Sequence, residues 1–203
     1  QTNNTPLGTT SGDTTHLDII DKWGNMVSAT PSGGWLQSSP IIPDLGFCLS
    51  NRAQMFWLDE NSPSCLVPGK RPRTTLSPSL ALKEGKPYMV FGTPGGDQQD
   101  QWSLHLFLRH IHFDLNLQES IDAPGFNTAH FPNSFYPRET DIGSLFVERR
   151  FPKSTIKKLI SKGHNVTIED EWSLGRMTAA SKNGDILKAA ANPRFMQGYA
   201  IGR

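Results

Sequence analysis

The chain has 203 residues, enough for one sizeable domain with an adequate hydrophobic core. Its formal net charge of +1 gives no electrostatic reason to expect a nucleic acid as a partner, and no apolar run approaches the ~18 residues that a membrane span needs. The 18 glycines and 15 prolines indicate many turns and argue against a helical bundle.

Residues 1–13 have the composition of a linker or loop, because they contain only one strongly apolar residue. From Thr14 onwards the pattern changes to alternating and helical segments. We therefore predict a linker over residues 1–13 and one folded unit over residues 14–203. Because the chain begins at Gln1, we expect it to be a fragment or a processed product.

Three segments have the pattern of a β-hairpin, with two strands joined by a four-residue turn that contains a glycine. The predicted strand pairs are residues 15–21 with 26–30, 78–82 with 87–91, and 177–181 with 186–190. The third turn contains Asn183-Gly184, the strongest hairpin signal in the chain.

Two helices are predicted, over residues 99–111 and 154–162. The first is apolar nearly all round, so we expect it to be buried on every side. Hairpins together with a few helices favour the α+β class, an antiparallel sheet covered by helices. Long loops over residues 31–39, 58–69 and 124–138 are candidates for a functional role.

Thr14 stands between an acidic turn and the first predicted strand. A threonine hydroxyl is a weak nucleophile unless a base lies beside it, and a threonine at the start of a chain has its own α-amine as that base. Cleavage of the Asp13–Thr14 bond, by attack of the Thr14 hydroxyl on the Asp13 carbonyl, would create such a residue. A purely structural interpretation also exists, because threonine is common in strands.

Six motifs, in order, resemble the small C-terminal subunit of the γ-glutamyltransferase family. They are TTHLDIIDKWGNMVSAT (14–30), GKRPRTTLSPSL (69–80), FGTPGGDQQD (91–100), LNLQESIDAPGF (115–126), FPKSTIKKLISKGHNV (151–166) and ANPR…GYA (191–200). The resemblance covers essentially everything from Thr14 to the end.

The resemblance implies an N-terminal nucleophile hydrolase with an αββα sandwich, two antiparallel sheets between helical layers. It also implies a large N-terminal subunit cut from the same precursor, a small-molecule amide as substrate, and no metal or organic cofactor. Thr14 falls on the catalytic residue, and Asp13 and Thr14 fall on the two sides of the self-cleaved bond. Gly95 and Gly96 fall on the pair whose backbone N–H groups form the oxyanion hole, which suits a glycine loop that opens a helix.

Four hydroxyl residues are assigned to the site through the same resemblance. Thr30 and Ser32 match residues that help to orient the nucleophile and its amine. Thr74 and Thr75 match a pair that contacts the substrate carboxylate, with threonine in place of the usual serine.

The chain departs from relatives that act on glutathione at two places. Where those relatives have an asparagine that holds the γ-glutamyl group, the loop after Ser32 has glycine. The aspartate that binds the substrate α-amine is missing from its usual spacing, and Arg52, Phe56 and Trp57 crowd that region. An unpaired ammonium group is costly in a dry pocket, so we expect the donor to be another small amide.

Several other polar residues have a simpler interpretation. We expect Cys48 and Cys65 to remain unlinked thiols, and the three histidines at 105, 110 and 112 to be packed or exposed rather than metal ligands. We expect a structural role for His16. Asp97 and Asp100 could cap a helix or contact the substrate, and we expect capping.

The sequence thus predicts a threonine amide hydrolase or acyltransferase that works through an acyl-threonine, with water as the expected acceptor. A genuine γ-glutamyltransferase or glutathione hydrolase is the alternative. A further alternative is an unprocessed or non-catalytic member of the family, because 13 residues precede Thr14 in this chain.

Overall fold

The computed structural model of the chain describes residues 14–33, 39–196 and 198–202. Within these ranges the strands are β1 (Leu17–Ile20), β2 (Met26–Ala29), β3 (Ile41–Ile42), β4 (Phe47–Cys48), β5 (Ser79–Lys83), β6 (Lys86–Gly92), β7 (Phe126–Asn127), β8 (Ser144–Glu148), β9 (Asn165–Glu169), β10 (Thr178–Asn183) and β11 (Ile186–Ala191). The helices are α1 (Gln99–His112), α2 (Leu117–Asp122) and α3 (Lys153–Ser161), with short 3₁₀ turns at Arg52–Met55, Gly96–Gln98 and Arg194–Met196.

A four-stranded antiparallel sheet in the order β11-β10-β6-β5 forms the centre of the fold. It contains two of the three predicted hairpins, β5–β6 and β10–β11. The remaining predicted hairpin, β1–β2, pairs Leu17 with Ala29 and Ile20 with Met26. This hairpin contacts β6 and β10, while α1 and α2 contact β6, β10 and β11. The three hairpins predicted from the turn residues are therefore confirmed.

The main core lies between the four-stranded sheet and the helices. Met89 and Phe91 alternate along β6 and pack with Trp102 and Leu106 of α1, all four being buried. Val90, between Met89 and Phe91, is completely buried as well. Successive strand residues face opposite sides, so both faces of β6 are covered, and the fold is confirmed as α+β with layered sheets and helices.

Helix α1 is less buried than its sequence predicts. Leu104 is 53% exposed, and Leu108 and Ile111 are also exposed, while Trp102 and Leu106 are in the core. The expectation of a helix covered on all sides is wrong for this chain, because the sheet covers only one of its faces. No helix in the described part of the chain is long and apolar enough to cross a membrane.

A small sheet in the order β7-β8-β9 was not predicted. Its strands β8 and β9 are parallel, with Ser144 opposite Asn165, and α3 lies between them in the chain. Helix α2 was also missed, although it begins with a capping box in which Asn116 and Glu119 bond each other's backbone N–H groups.

Glu148, at the end of β8, is the centre of a buried ionic cluster. Its completely buried carboxylate accepts hydrogen bonds from Arg194 Nε at 2.9 Å, from Arg150 Nη2 at 2.5 Å and from the backbone N–H groups of Gly125 and Leu174. Burial by itself raises the pKa of this carboxyl, but the hydrogen bonds from Arg194 and the backbone outweigh it and hold the pKa below its ordinary value. In its charged form, Glu148 thus connects the segments around Gly125, Arg150, Leu174 and Arg194.

Candidate active site

Thr14 and Ser32 are joined directly by their hydroxyl groups. The distance between Thr14 Oγ1 and Ser32 Oγ is 2.5 Å. The backbone supports this pairing, since the N–H of Thr15 donates to the carbonyl of Pro31 at 3.2 Å. The start of β1 and the loop after β2 therefore hold two hydroxyls together. Asp13, the other side of the predicted cleavage point, lies outside the described residues.

Thr30 belongs to a separate, buried hydrogen-bond chain. Its hydroxyl lies 2.7 Å from His16 Nδ1, and His16 Nε2 lies 3.0 Å from Asp18 Oδ2. Asp18 also accepts a hydrogen bond from Thr178 in β10 at 2.7 Å. The side chains of His16 and Asp18 are 1% and 3% exposed. Of the two hydroxyls assigned to the nucleophile, Ser32 thus contacts Thr14, and Thr30 contacts His16.

The glycine loop, which contains Gly95 and Gly96, begins next to the ring of His16. Gly92 ends β6, and a Cβ atom at that position would lie 2.3–3.0 Å from three ring atoms of His16. Gly95 (φ 142°) and Gly96 (φ 62°) follow, and a Cβ at Gly95 would lie 2.3 Å from the ring of Trp102. Both loop positions have a backbone conformation that favours glycine. The contact between His16 and Gly92 brings this loop to the Thr14 end of β1.

Thr74 and Thr75 line a cavity of about 770 Å³. Its wall also includes the carboxylate residues Asp97, Asp100, Glu139 and Asp141, and the aromatic residues Trp57 and Phe131. Arg73 contributes positive charge, with Nη2 3.9 Å from Asp97 Oδ1. The charged side chains of the lining are therefore mainly acidic, and the lining does not include Thr14.

Asp97 does not cap a helix, so that expectation is wrong. Its carboxylate accepts hydrogen bonds from the backbone N–H of Ser134 at 2.8 Å and from the Ser134 hydroxyl. No side-chain cap is made at the start of the 3₁₀ turn Gly96–Gln98 or of α1. Asp97 instead joins the glycine loop to Ser134, a residue that is itself fully buried.

Arg52, one of the residues that crowd the region of the missing aspartate, contacts Ser32. Its Nη2 donates a hydrogen bond to Ser32 Oγ, the same oxygen that bonds Thr14. Gly33 makes room for this reach, because a Cβ there would lie 2.4 Å from Arg52 Nε. The backbone N–H of Asn51 donates to the carbonyl of Gly33 at 2.8 Å, which fixes the arginine segment beside the loop.

The histidines singled out above have packing partners. His105 stacks on Phe126 with ring centroids 3.8 Å apart, and burial together with Arg109 lowers the pKa of His105 to about 4. His110 bonds the hydroxyl of Tyr88 at 2.8 Å. Within the described residues, no group of three or more His, Cys, Asp or Glu side chains could hold a metal ion. Cys48 and Cys65 are free thiols.

Comparison with known proteins identifies the class. The family model for γ-glutamyltranspeptidase matches residues 2–202, so the chain belongs to that family. The glutathione hydrolase-like YwrD proenzyme of Bacillus subtilis (strain 168) is 32% identical over 97% of this chain, which covers 36% of that protein. The oxamate amidohydrolase proenzyme of Klebsiella pneumoniae (strain ATCC 700721 / MGH 78578) is 34% identical over 94% of the chain, again covering 36% of the relative.

Solved structures agree with this assignment. Two structures of LmbA2991 are 55% identical to the chain, with TM-scores of 0.87 and 0.86; the match covers 97% and 95% of this chain and 35% and 34% of theirs. A variant of Helicobacter pylori γ-glutamyltranspeptidase is 25% identical with a TM-score of 0.71, over 89% of this chain and 99% of that one. The fold is that of the γ-glutamyltranspeptidases, and the chain spans about a third of the length of its curated relatives.

Proposed function

We propose that this chain is the catalytic part of a threonine amide hydrolase or acyltransferase that cuts its own precursor between Asp13 and Thr14. The observation that carries the proposal is the 2.5 Å hydrogen bond between Thr14 Oγ1 and Ser32 Oγ, at the strand end that meets the glycine loop. A hydroxyl held at a defined position beside backbone donors is what an acyl-transfer nucleophile requires.

In the proposed reaction, Thr14 Oγ attacks the amide carbonyl while its proton passes to the free α-amine of Thr14. The backbone N–H groups of Gly95 and Gly96 stabilise the oxyanion, and the loss of one such donor typically costs ~100–1000-fold in rate. The carbon–nitrogen bond then breaks, and the leaving amine takes the proton. Water adds to the acyl-threonine ester, releases the acid and restores the hydroxyl.

The proposal includes a large subunit from the same precursor. The chain covers only 36% of relatives whose names identify them as proenzymes. In addition, the hairpin β1–β2 has exposed apolar side chains at Leu17 (42%), Ile19 (56%) and Val27 (49%). These side chains alternate with residues directed at the central sheet, so they lie on the outer face of the hairpin. A second chain that covers this face would bury them.

A genuine γ-glutamyltransferase or glutathione hydrolase is the second candidate. The acidic cavity beside Thr74 and Thr75 favours it, because Asp97 and Asp100 offer carboxylates for a substrate α-ammonium group. The missing aspartate and the presence of Arg52 at the nucleophile favour a donor of a different type.

Turnover of a panel of small amides by the full-length protein tests the proposal. We expect wild type to hydrolyse at least one amide, Thr14→Ala to be inactive, and Thr15→Ala, the adjacent threonine, to keep most of the activity. Efficient use of a γ-glutamyl anilide at low concentration would favour the second candidate. Absence of any turnover, with Asp13 still linked to Thr14, would support a non-catalytic family member instead.

A further inference from the structure

We propose that Arg52 binds the carboxylate of an acyl donor in which that carboxylate is attached directly to the scissile carbonyl, as in oxamate. This inference rests on the proposed function, since it assumes that Thr14 is the nucleophile. It assigns to Arg52 the choice of substrate, a role that the resemblance to glutathione-cleaving relatives does not supply.

The first support is the position of the guanidinium group. Arg52 Nη2 and Thr14 Oγ1 bond the same atom, Ser32 Oγ, so the cation lies two hydrogen bonds from the nucleophile. A carbonyl carbon in contact with Thr14 Oγ1 would have its nearest substituent beside this group. Arginine is suited to that position, because its planar fork matches the geometry of a carboxylate.

The second support is charge. Arg52 forms no ion pair with any residue in the described ranges. Its Nε–H group is buried and has no acceptor among those residues. A partly buried cation without a counter-ion is costly to hold, and an anionic ligand would remove that cost. Arg194, which is buried, is by contrast paired with Glu148 at 2.9 Å.

The third support is the space made for the arginine. Gly33 has φ 77°, and a Cβ there would lie 2.4 Å from Arg52 Nε and 2.8 Å from Asn51 Oδ1. Any larger residue would displace the guanidinium from Ser32. The small residue after Ser32 and the arginine at 52 therefore belong to one arrangement, which places a positive charge at the nucleophile.

The position of Arg52 also limits the length of the acyl group. In a γ-glutamyl donor, three carbon atoms lie between the scissile carbonyl carbon and the carbon of the α-carboxylate, so that carboxylate would lie well beyond a group hydrogen-bonded to Ser32. A carboxylate on the carbonyl carbon itself would be within reach. A relative that is 34% identical to the chain is named an oxamate amidohydrolase, which is the same donor class.

The reaction balances without a further reagent. Thr14 Oγ forms an ester with the oxalyl carbonyl, the carbon–nitrogen bond breaks, and ammonia leaves with a proton delivered through the α-amine. Water then cleaves the ester to give oxalate and the free hydroxyl. Throughout, Arg52 would hold the carboxylate that does not react, and the neighbouring charge would also counter the developing oxyanion.

A comparison within the wild-type full-length protein is the first test, because it needs no variant to fold. Oxamate and oxamide have the same shape, but only oxamate carries the carboxylate. We expect kcat/KM for oxamate to exceed that for oxamide by roughly 100-fold, the scale of a buried charge-assisted pair. Equal values, or a preference for oxamide, would overturn the inference.

Variants at Arg52 provide the second test. In Arg52→Met the ratio of the two kcat/KM values should fall roughly 100-fold, while Arg52→Lys, which keeps the charge but not the planar fork, should keep only part of the preference. Arg71→Met is the matched control, because Arg71 is exposed, and its ratio should equal that of wild type. Intact mass, measured for each variant, reports whether cleavage before Thr14 still occurs.

The outcomes separate this inference from the proposed function. If wild type hydrolyses some amide through Thr14 but Arg52→Met loses oxamate and oxamide activity to the same degree, Arg52 only positions the loop and the inference fails. If wild type turns over no amide at all, the proposed function itself fails. Competitive inhibition by oxalate that weakens in Arg52→Met would support the inference directly.

Discussion

The ring of His16 occupies the space in which a side chain at position 92 would lie. A Cβ atom at Gly92 would be 2.3 Å from Cε1 and 2.6 Å from Nε2 of His16. The same histidine bonds Thr30 and Asp18. Strand β1 and strand β6, which leads into the glycine loop, are therefore fitted to each other at one point, two residues from Thr14.

Gly92→Ala should reveal this fit. The added methyl group must displace His16 or the backbone of β6, so we expect a loss of about 1–3 kcal/mol in the free energy of unfolding, together with a lower kcat. Denaturant unfolding and steady-state kinetics of the full-length protein measure both. The control is a double-mutant cycle: in a His16→Ala background, Gly92→Ala should cost much less. An undiminished cost in that background would refute the contact as the cause.

Glu148→Gln should be strongly destabilising. It removes the only carboxylate that pairs with Arg194 in the described part of the chain and leaves that buried cation without compensation. The expected loss is about 3–5 kcal/mol, measured by denaturant unfolding. Glu171→Gln, at an exposed position, should change stability by less than about 0.5 kcal/mol. Similar small effects for both variants would contradict the assigned role of Glu148.

The same carboxylate should contribute to acid sensitivity. The pKa of Glu148 is held below the ordinary value of 4.5, so its charged form is favoured in the folded protein. Its contribution is complete above that ordinary value and is lost as pH falls through the lowered one. We expect the thermal midpoint of wild type to fall below about pH 4.5 more steeply than that of Glu148→Gln. Parallel curves would rule out this contribution.

His105 should contribute at a higher pH. Its pKa is lowered from 6.5 to about 4 by burial and by Arg109, so the unfolded chain takes up the proton more readily than the folded one. The contribution of His105 to the free energy of unfolding is therefore complete above pH 6.5 and decreases towards pH 4, by roughly 2 kcal/mol between pH 7 and pH 5.

His105→Phe tests that pH dependence, because it keeps the ring against Phe126 but has no proton to take up. We expect its unfolding free energy to vary less between pH 7 and pH 5 than that of wild type. His112→Phe, at an exposed position of α1, should retain the wild-type dependence. If the pH dependence were reduced in His112→Phe, or were unchanged in His105→Phe, another group would be responsible.

Local patterns predicted the hairpins and two helices but missed the elements that depend on distant partners. Asn183-Gly184 identified the β10–β11 turn because the signal lies within the turn itself. The parallel pairing of β8 with β9 has no local signal, since residues 21 positions apart, such as Ser144 and Asn165, must meet. Helix α2 is only six residues long, too short for a visible period, and its capping box at Asn116 and Glu119 was the available clue.

The site was predicted in a similar way. The order of motifs predicted Thr14, Ser32 and the glycine pair as site residues, and the hydroxyls of the first two are in contact. The partner of Thr30 could not be read from the chain, because it depends on which face of β1 presents His16. Arg52 was noticed only as a departure from the family pattern. Its approach to Ser32 becomes intelligible once Gly33 is seen to leave the necessary space.

The most direct test of the central claim is the intact mass of freshly purified full-length protein, with the new N-terminus sequenced. We predict a fragment that begins at Thr14 in wild type, and an uncut chain in Thr14→Ala. A cut before Thr15, Thr9 or Thr10, or cleavage that persists in Thr14→Ala, would contradict the assignment of Thr14 as the nucleophile.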